Sequence, residues 1–176
     1  MTLDDVAGRS AYDGDHEAFR QSVRQFLRKE GVPHVAEFGR TYCEAFGTDL
    51  TMADLVEIAK GHDGKTRGAL SERSYPVILD TDPLMTAVWE DMMFGRRDPW
   101  FATWTNTADI YLLFDIDLPW VDDGTRMFGS PAQRQRFFDL SRKILEERGV
   151  RWALVSGQGS TRYINALHAI EALSRD

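Results

Sequence analysis

Residues 75–86 read YPVILDTDPLMT. A short apolar run, Val77-Ile78-Leu79, stops abruptly at Asp80-Thr81-Asp82. The run predicts a buried strand, and two carboxylates at its end admit two explanations. Asp caps helices, and Asp-Pro marks a turn. The carboxyl edge of a parallel sheet is also where open α/β folds place metals and phosphates.

The pattern recurs along the chain. Residues 32–36 predict a short strand ending near Glu37, and residues 110–114 (IYLLF) a strand ending in Asp115-Ile116-Asp117. The unbroken apolar run of 110–114 predicts burial on both faces. Residues 152–155 predict a fourth strand. Helical patterns lie between them. One follows Glu37-Phe38-Gly39-Arg40 and runs through Phe46, and another starts at a capping-box-like Thr51/Asp54 and carries Leu55, Val56, Ile58 and Ala59. A third covers 84–94. A fourth starts at Ser130-Pro131 and closes at Gly149, and the last spans 161–174. Short strands alternating with helices predict a parallel sheet with right-handed crossovers. In such a sheet Glu37, Asp80, Asp82, Asp115 and Asp117 share one edge, as a metal or phosphate site or as helix caps.

Composition narrows the function. The chain has 176 residues, enough for one domain with a real core. Its net charge of −7 argues against nucleic acid or an anionic membrane as the main partner. It leaves room for an anionic substrate in a local positive pocket. Cys43, the one cysteine, fits a reducing cytoplasm and reads as a packing residue. No apolar run approaches the length of a membrane span, and residues 1–15 carry no signal-peptide pattern. His16, His34, His62 and His168 show no metal-ligand spacing and read as packing or surface residues.

The segment LPWVDDGTRMFGS, residues 118–130, adds an acid pair, two glycines and Arg126 before a long helix. The planar fork of Arg suits phosphate, and a loop of this kind can close over a polyphosphate or stand exposed in solvent. Together EFGRTY (37–42), EIAKGH (57–62), VILDTDPLMTAVW (77–89), IYLLFDIDLPWVDDGTRMFGS (110–130) and RFFDLSRKILEERGV (136–150) resemble the bacterial ribosylnicotinamide kinase domain, the NadR-like branch of the P-loop kinases. The likeness runs in order over residues 32–173. It implies an α/β fold, a parallel-sheet P-loop kinase-like three-layer sandwich. It also implies transfer of the ATP γ-phosphoryl group to the 5′-hydroxyl of nicotinamide riboside, a step of NAD biosynthesis and salvage, with Mg²⁺ accompanying ATP.

Carried onto this sequence, the resemblance gives Asp80 the role of the Mg²⁺-holding carboxylate. Glu37 would orient or deprotonate the acceptor hydroxyl. Arg40 and Asp82 would line the acceptor pocket. Asp123 and Arg126 would belong to a lid-like loop, with Arg126 facing the phosphates of ATP. Trp89 or Trp120 would stack on a flat ring or pack in the core.

One family element is missing. P-loop kinases open with a strand and G-x-x-x-x-G-K-[ST], whose backbone cradles phosphate. No such motif occurs here; the expected position falls near DGDHEAFR, residues 13–20, with Phe19 where Lys is required. The sandwich is therefore expected to lack its first strand and P-loop. AKGHDGKT, residues 59–66, imitates the motif but sits in a helical pattern. Residues 12–34 resemble the opening helix of acyl-CoA dehydrogenases, with nothing of that family downstream. The predicted organisation is a tail and amphipathic helix over 1–31, arising by gene fusion or by an error in the sequence record, and a kinase-like domain over 32–176. The expected protein is a cytoplasmic nucleoside kinase acting on a small nucleoside and ATP, with no membrane or nucleic-acid partner and with an exposed sheet edge open to self-association. The alternatives are a non-catalytic kinase-derived binding protein, or a kinase for another small-molecule acceptor.

Overall fold

A computed structural model describes residues 33–72, 76–120 and 127–175. Four short strands alternate with helices. They are β1 (His34–Val35), α1 (Phe38–Phe46), α2 (Met52–Ser71), β2 (Ile78–Leu79), α3 (Pro83–Phe94), α4 (Pro99–Thr103), β3 (Tyr111–Phe114), α5 (Pro131–Arg148), β4 (Trp152–Val155) and α6 (Gly159–Arg175). The result is the α/β fold with parallel strands that the sequence predicts.

Local chemistry sets the helix ends. Thr51 and Asp54 form a full capping box, and Asp54 also accepts from the Tyr42 hydroxyl at 2.6 Å, pinning α1 to α2. The Thr51 and Tyr42 hydroxyls hold the Asp54 carboxyl down at about 2. Asp82 caps α3, Pro83 follows at its first position, and Gly95 closes it in the left-handed conformation. Ser130 and Gln133 box the start of α5.

β1 pairs with β2 in parallel, and β3 with β4, also in parallel. Among the described residues these are two separate two-stranded sheets, not one. This corrects the expected burial of 110–114 on both faces. Leu113 is buried, but Phe114 is 50% exposed, with the Arg162 guanidinium over its ring. Among the described residues β3 has a paired strand along one edge only, and Tyr111 and Leu112 are half-buried.

The core lies around α3, which packs between α2 and α5. Val56 and Ala59 meet Leu84, Ala87, Val88, Phe101, Trp104, Leu113, Ile144 and Leu145. Each large apolar side chain buried here contributes roughly 1.5–3 kcal/mol. A second cluster joins Leu50, Leu55 and Ile58 to Phe38, Tyr42, Cys43, Trp89 and Met93. Cys43 does pack there, as read, and burial pushes its thiol pKa up. Buried Asp63 accepts from Trp104 Nε1 at 3.0 Å and Asn106 Nδ2 at 2.9 Å, tying α2 to the segment after α4. Among the described residues no helix is long and apolar enough to cross a membrane.

Candidate functional site

The strand-end acids, alike in sequence, have different occupations. Asp117 is engaged by the Gly157 N–H at 2.6 Å and by Arg162, and Asp115 accepts from the Ile116 N–H at 2.7 Å. Asp82 is only 6% exposed. Its Oδ1 accepts from the Leu84 N–H at 2.8 Å and its Oδ2 from the Tyr111 hydroxyl at 2.5 Å. Burial raises its pKa, and these donors pull it partly back. Asp82 is thus a cap and a core anchor rather than part of a pocket wall.

Glu37 stands at the cap position of α1, but its side chain makes no cap hydrogen bond. Register brings it to the end of β2. Val35 pairs with Leu79, and the Asp80 N–H donates to the Val35 carbonyl at 2.9 Å. Glu37 and Thr81, each two residues beyond that pair, therefore sit at the same edge. Thr81 takes a left-handed φ of 73°, a costly conformation for a β-branched residue. The reversal separates its neighbours: Asp80 is exposed and Asp82 turns inward.

A cleft opens at this edge. Its empty space is about 650 Å³ with the open mouth included. Glu37, Arg40, Thr81, Thr86 and Trp89 contribute to its walls, with Cys43, Leu50, Leu55, Ile58 and Met85 as apolar lining. Arg40 Nε lies 3.7 Å from Glu37 Oε2, so the two form an ion pair at the rim. Trp89 is half-buried and meets Phe128 and Phe137 at ring separations of 5.2 and 5.7 Å, which fixes the indole in place.

Of the predicted site residues, the cleft gathers Glu37, Arg40 and Trp89. Asp80 lies beside it through Thr81. Asp82 and Trp120 are not among the described lining residues; Trp120 sits over Gly129, where a Cβ would overlap the indole. Asp123 and Arg126 lie outside the described residues, as does the tail over 1–31. The P-loop mimic at 59–66 is continuous helix within α2, and Lys65 stands 4.6 Å from the centre of the Phe38 ring.

The residue that sequence reading missed is His62. It lines the cleft, is 2% exposed, and neither ring nitrogen has a hydrogen-bond partner among the described residues. Burial lowers its pKa, while the Asp80 backbone and charge pull it up. Its spacing from Leu55 and Ile58 placed it on the inner face of α2, but an inner-face histidine reads as packing until its partners are seen.

The α/β core has parallel strands and a cleft at the strand ends where charged side chains stand over an apolar lining, an arrangement consistent with a domain of the P-loop kinase type. Residues 21–162 match the family described as AAA domain, and the chain belongs to it. It is a NadR-like member. It is 26% identical over 144 residues to the trifunctional NAD biosynthesis/regulator protein NadR of Escherichia coli (strain K12), covering 78% of this chain and 35% of that protein. It is 29% identical over 125 residues to the NadR of Salmonella typhimurium (strain LT2), covering 68% of this chain and 30% of that protein. The chain thus spans about a third of the length of these relatives.

Proposed function

We propose that the cleft binds a ribonucleoside of the nicotinamide riboside type and that the domain transfers the γ-phosphoryl group of ATP to its 5′-hydroxyl. The observation carrying this reading is the convergence of Glu37, Arg40 and Trp89 on one cleft beside Asp80. Phosphoryl transfer asks a protein mainly to position its reactants and stabilise charge. In this reading Trp89 stacks on the base and Arg40 steadies the acceptor. Glu37 takes up the 5′-hydroxyl proton as the oxygen attacks the γ-phosphorus and the bond to the β-phosphate breaks. The exposed carboxylate of Asp80 suits Mg²⁺, which takes one or two carboxylates and keeps phosphate and water for its other ligands. Bound there, the ion would neutralise phosphate charge. Arg126 is assigned to the phosphates by resemblance. ATP as donor accords with a cytoplasmic setting.

A second reading is supported by the sequence itself: no G-x-x-x-x-G-K-[ST] occurs in the 176 residues. In that reading the domain binds the nucleoside without phosphorylating it. Incubation with nicotinamide riboside and γ-labelled MgATP separates the two. Labelled mononucleotide formed by the wild type and lost in Asp80→Asn, at unchanged melting temperature, supports transfer. Riboside binding without labelled product supports the binding module.

A further inference from the structure

Among the described residues, His62 is a buried polar side chain with no hydrogen-bond partner within 3.5 Å of either ring nitrogen. Such groups are rare because each unmet donor or acceptor forfeits its bonds to water. The placement is specific. His62 rises from α2 into the cleft that holds Glu37, Arg40 and Trp89. Thr66, one turn further along the same face, also has a buried hydroxyl without a partner among the described residues. Thr81, across the same cleft, carries the left-handed backbone. An imidazole without a described partner and a strained β-branched residue therefore line the same cleft. Strain of this kind persists where the surrounding structure enforces it, and it clusters at ligand clamps and switch regions.

We propose that His62 is a specificity-determining contact for the acceptor, hydrogen-bonding the vicinal ribose hydroxyls once Thr81 relaxes. The inference rests on the nucleoside reading above. The chemistry matches. A neutral imidazole offers one donor and one acceptor, and a sugar hydroxyl offers both in return. Glu37 serves the 5′-hydroxyl and Trp89 the base, which leaves the 2′ and 3′ hydroxyls to be recognised. Both His62 nitrogens are sealed from solvent. The ligand must therefore displace part of the wall, and Thr81 is the strained part.

The test is calorimetric titration of nicotinamide riboside and of its 2′,3′-dideoxy analogue into wild type, His62→Leu and His62→Gln, with melting temperatures measured alongside. Wild type should bind the riboside about tenfold more tightly than the dideoxy analogue. His62→Leu should lose that preference while melting no lower than wild type, because it removes an unmet polar group. His62→Gln should keep part of the preference. A His62→Leu variant that retains the wild-type preference overturns the inference alone, leaving the nucleoside reading intact. Equal wild-type affinity for both ligands also overturns it, whether or not the variants fold. Absence of riboside binding by wild type overturns both.

Discussion

The Tyr111 hydroxyl donates to Asp82 Oδ2 across 2.5 Å, joining the first residue of β3 to the cap of α3. It also accepts from the Ala108 N–H at 3.1 Å. Among the described residues no strand pairing joins the two sheets, and this side chain ties β3 to the segment that follows β2. Tyr111→Phe leaves a buried carboxylate and a backbone N–H each short of a partner. It should cost about 1–3 kcal/mol in urea denaturation.

The same pair sets a pH dependence. Burial raises the folded-state pKa of Asp82 above its unfolded value. Its contribution to stability is therefore full below the ordinary carboxylate range and is lost as pH rises through the raised pKa. The Tyr111 hydroxyl favours the charged form, so Tyr111→Phe raises that pKa further. The stability difference between variant and wild type should widen as pH rises above the ordinary carboxylate range.

Three glycines on α2 give a contrast in sign. A Cβ at Gly61 would overlap the Phe38 ring, whereas nothing lies within 4 Å of a Cβ at Gly64 or Gly68. Gly64→Ala and Gly68→Ala should each stabilise by roughly 0.5–1 kcal/mol through helix propensity. Gly61→Ala should destabilise, because overpacking costs about 1–3 kcal/mol and exceeds that gain. Thermal melts of the three variants check this.

Asp63 and Arg67 form an ion pair at 2.5 Å in which only the carboxylate is buried. Asp63→Ala strands the Trp104 indole N–H and the Asn106 amide and should cost roughly 3 kcal/mol. Arg67→Ala removes an exposed partner and should cost less than about 1 kcal/mol. Equal costs would mean that the ion pair, not the buried hydrogen bonds, carries the energy.

Much of the fold was legible because its punctuation is written in residue types. Thr51 with Asp54, Asp82-Pro83 with Gly95, and Ser130-Pro131 with Gly149 mark helix ends through local bonds and local φ values. The parallel pairing followed from the alternation of elements. What was not legible depends on partners distant in the chain. Residues 110–114 are apolar, but apolarity does not say how many strands will cover them. Asp80 and Asp82 are the same letter two positions apart, and only the reversed backbone at Thr81 sends one outward and the other into the core. Glu37, Arg40 and Trp89 were found through resemblance. His62 was missed because an imidazole without a partner looks, in sequence, like one that has found it.

Thr81→Gly tests whether that reversed backbone is strained. Glycine adopts positive φ freely, while a non-glycine residue held there costs about 1–3 kcal/mol. The variant should gain about 1 kcal/mol after the added unfolded-state entropy of glycine is subtracted. A loss of stability would mean that Thr81 contributes more by packing than it costs by conformation.

The central claim is that the cleft beside Asp80 is an acceptor site, and calorimetric titration of nicotinamide riboside, with and without MgATP, tests it most directly. The account predicts saturable binding by wild type, weakened at least about tenfold in both Arg40→Ala and Trp89→Ala. No saturable binding by a chain that unfolds cooperatively, or binding that both variants leave untouched, would contradict it.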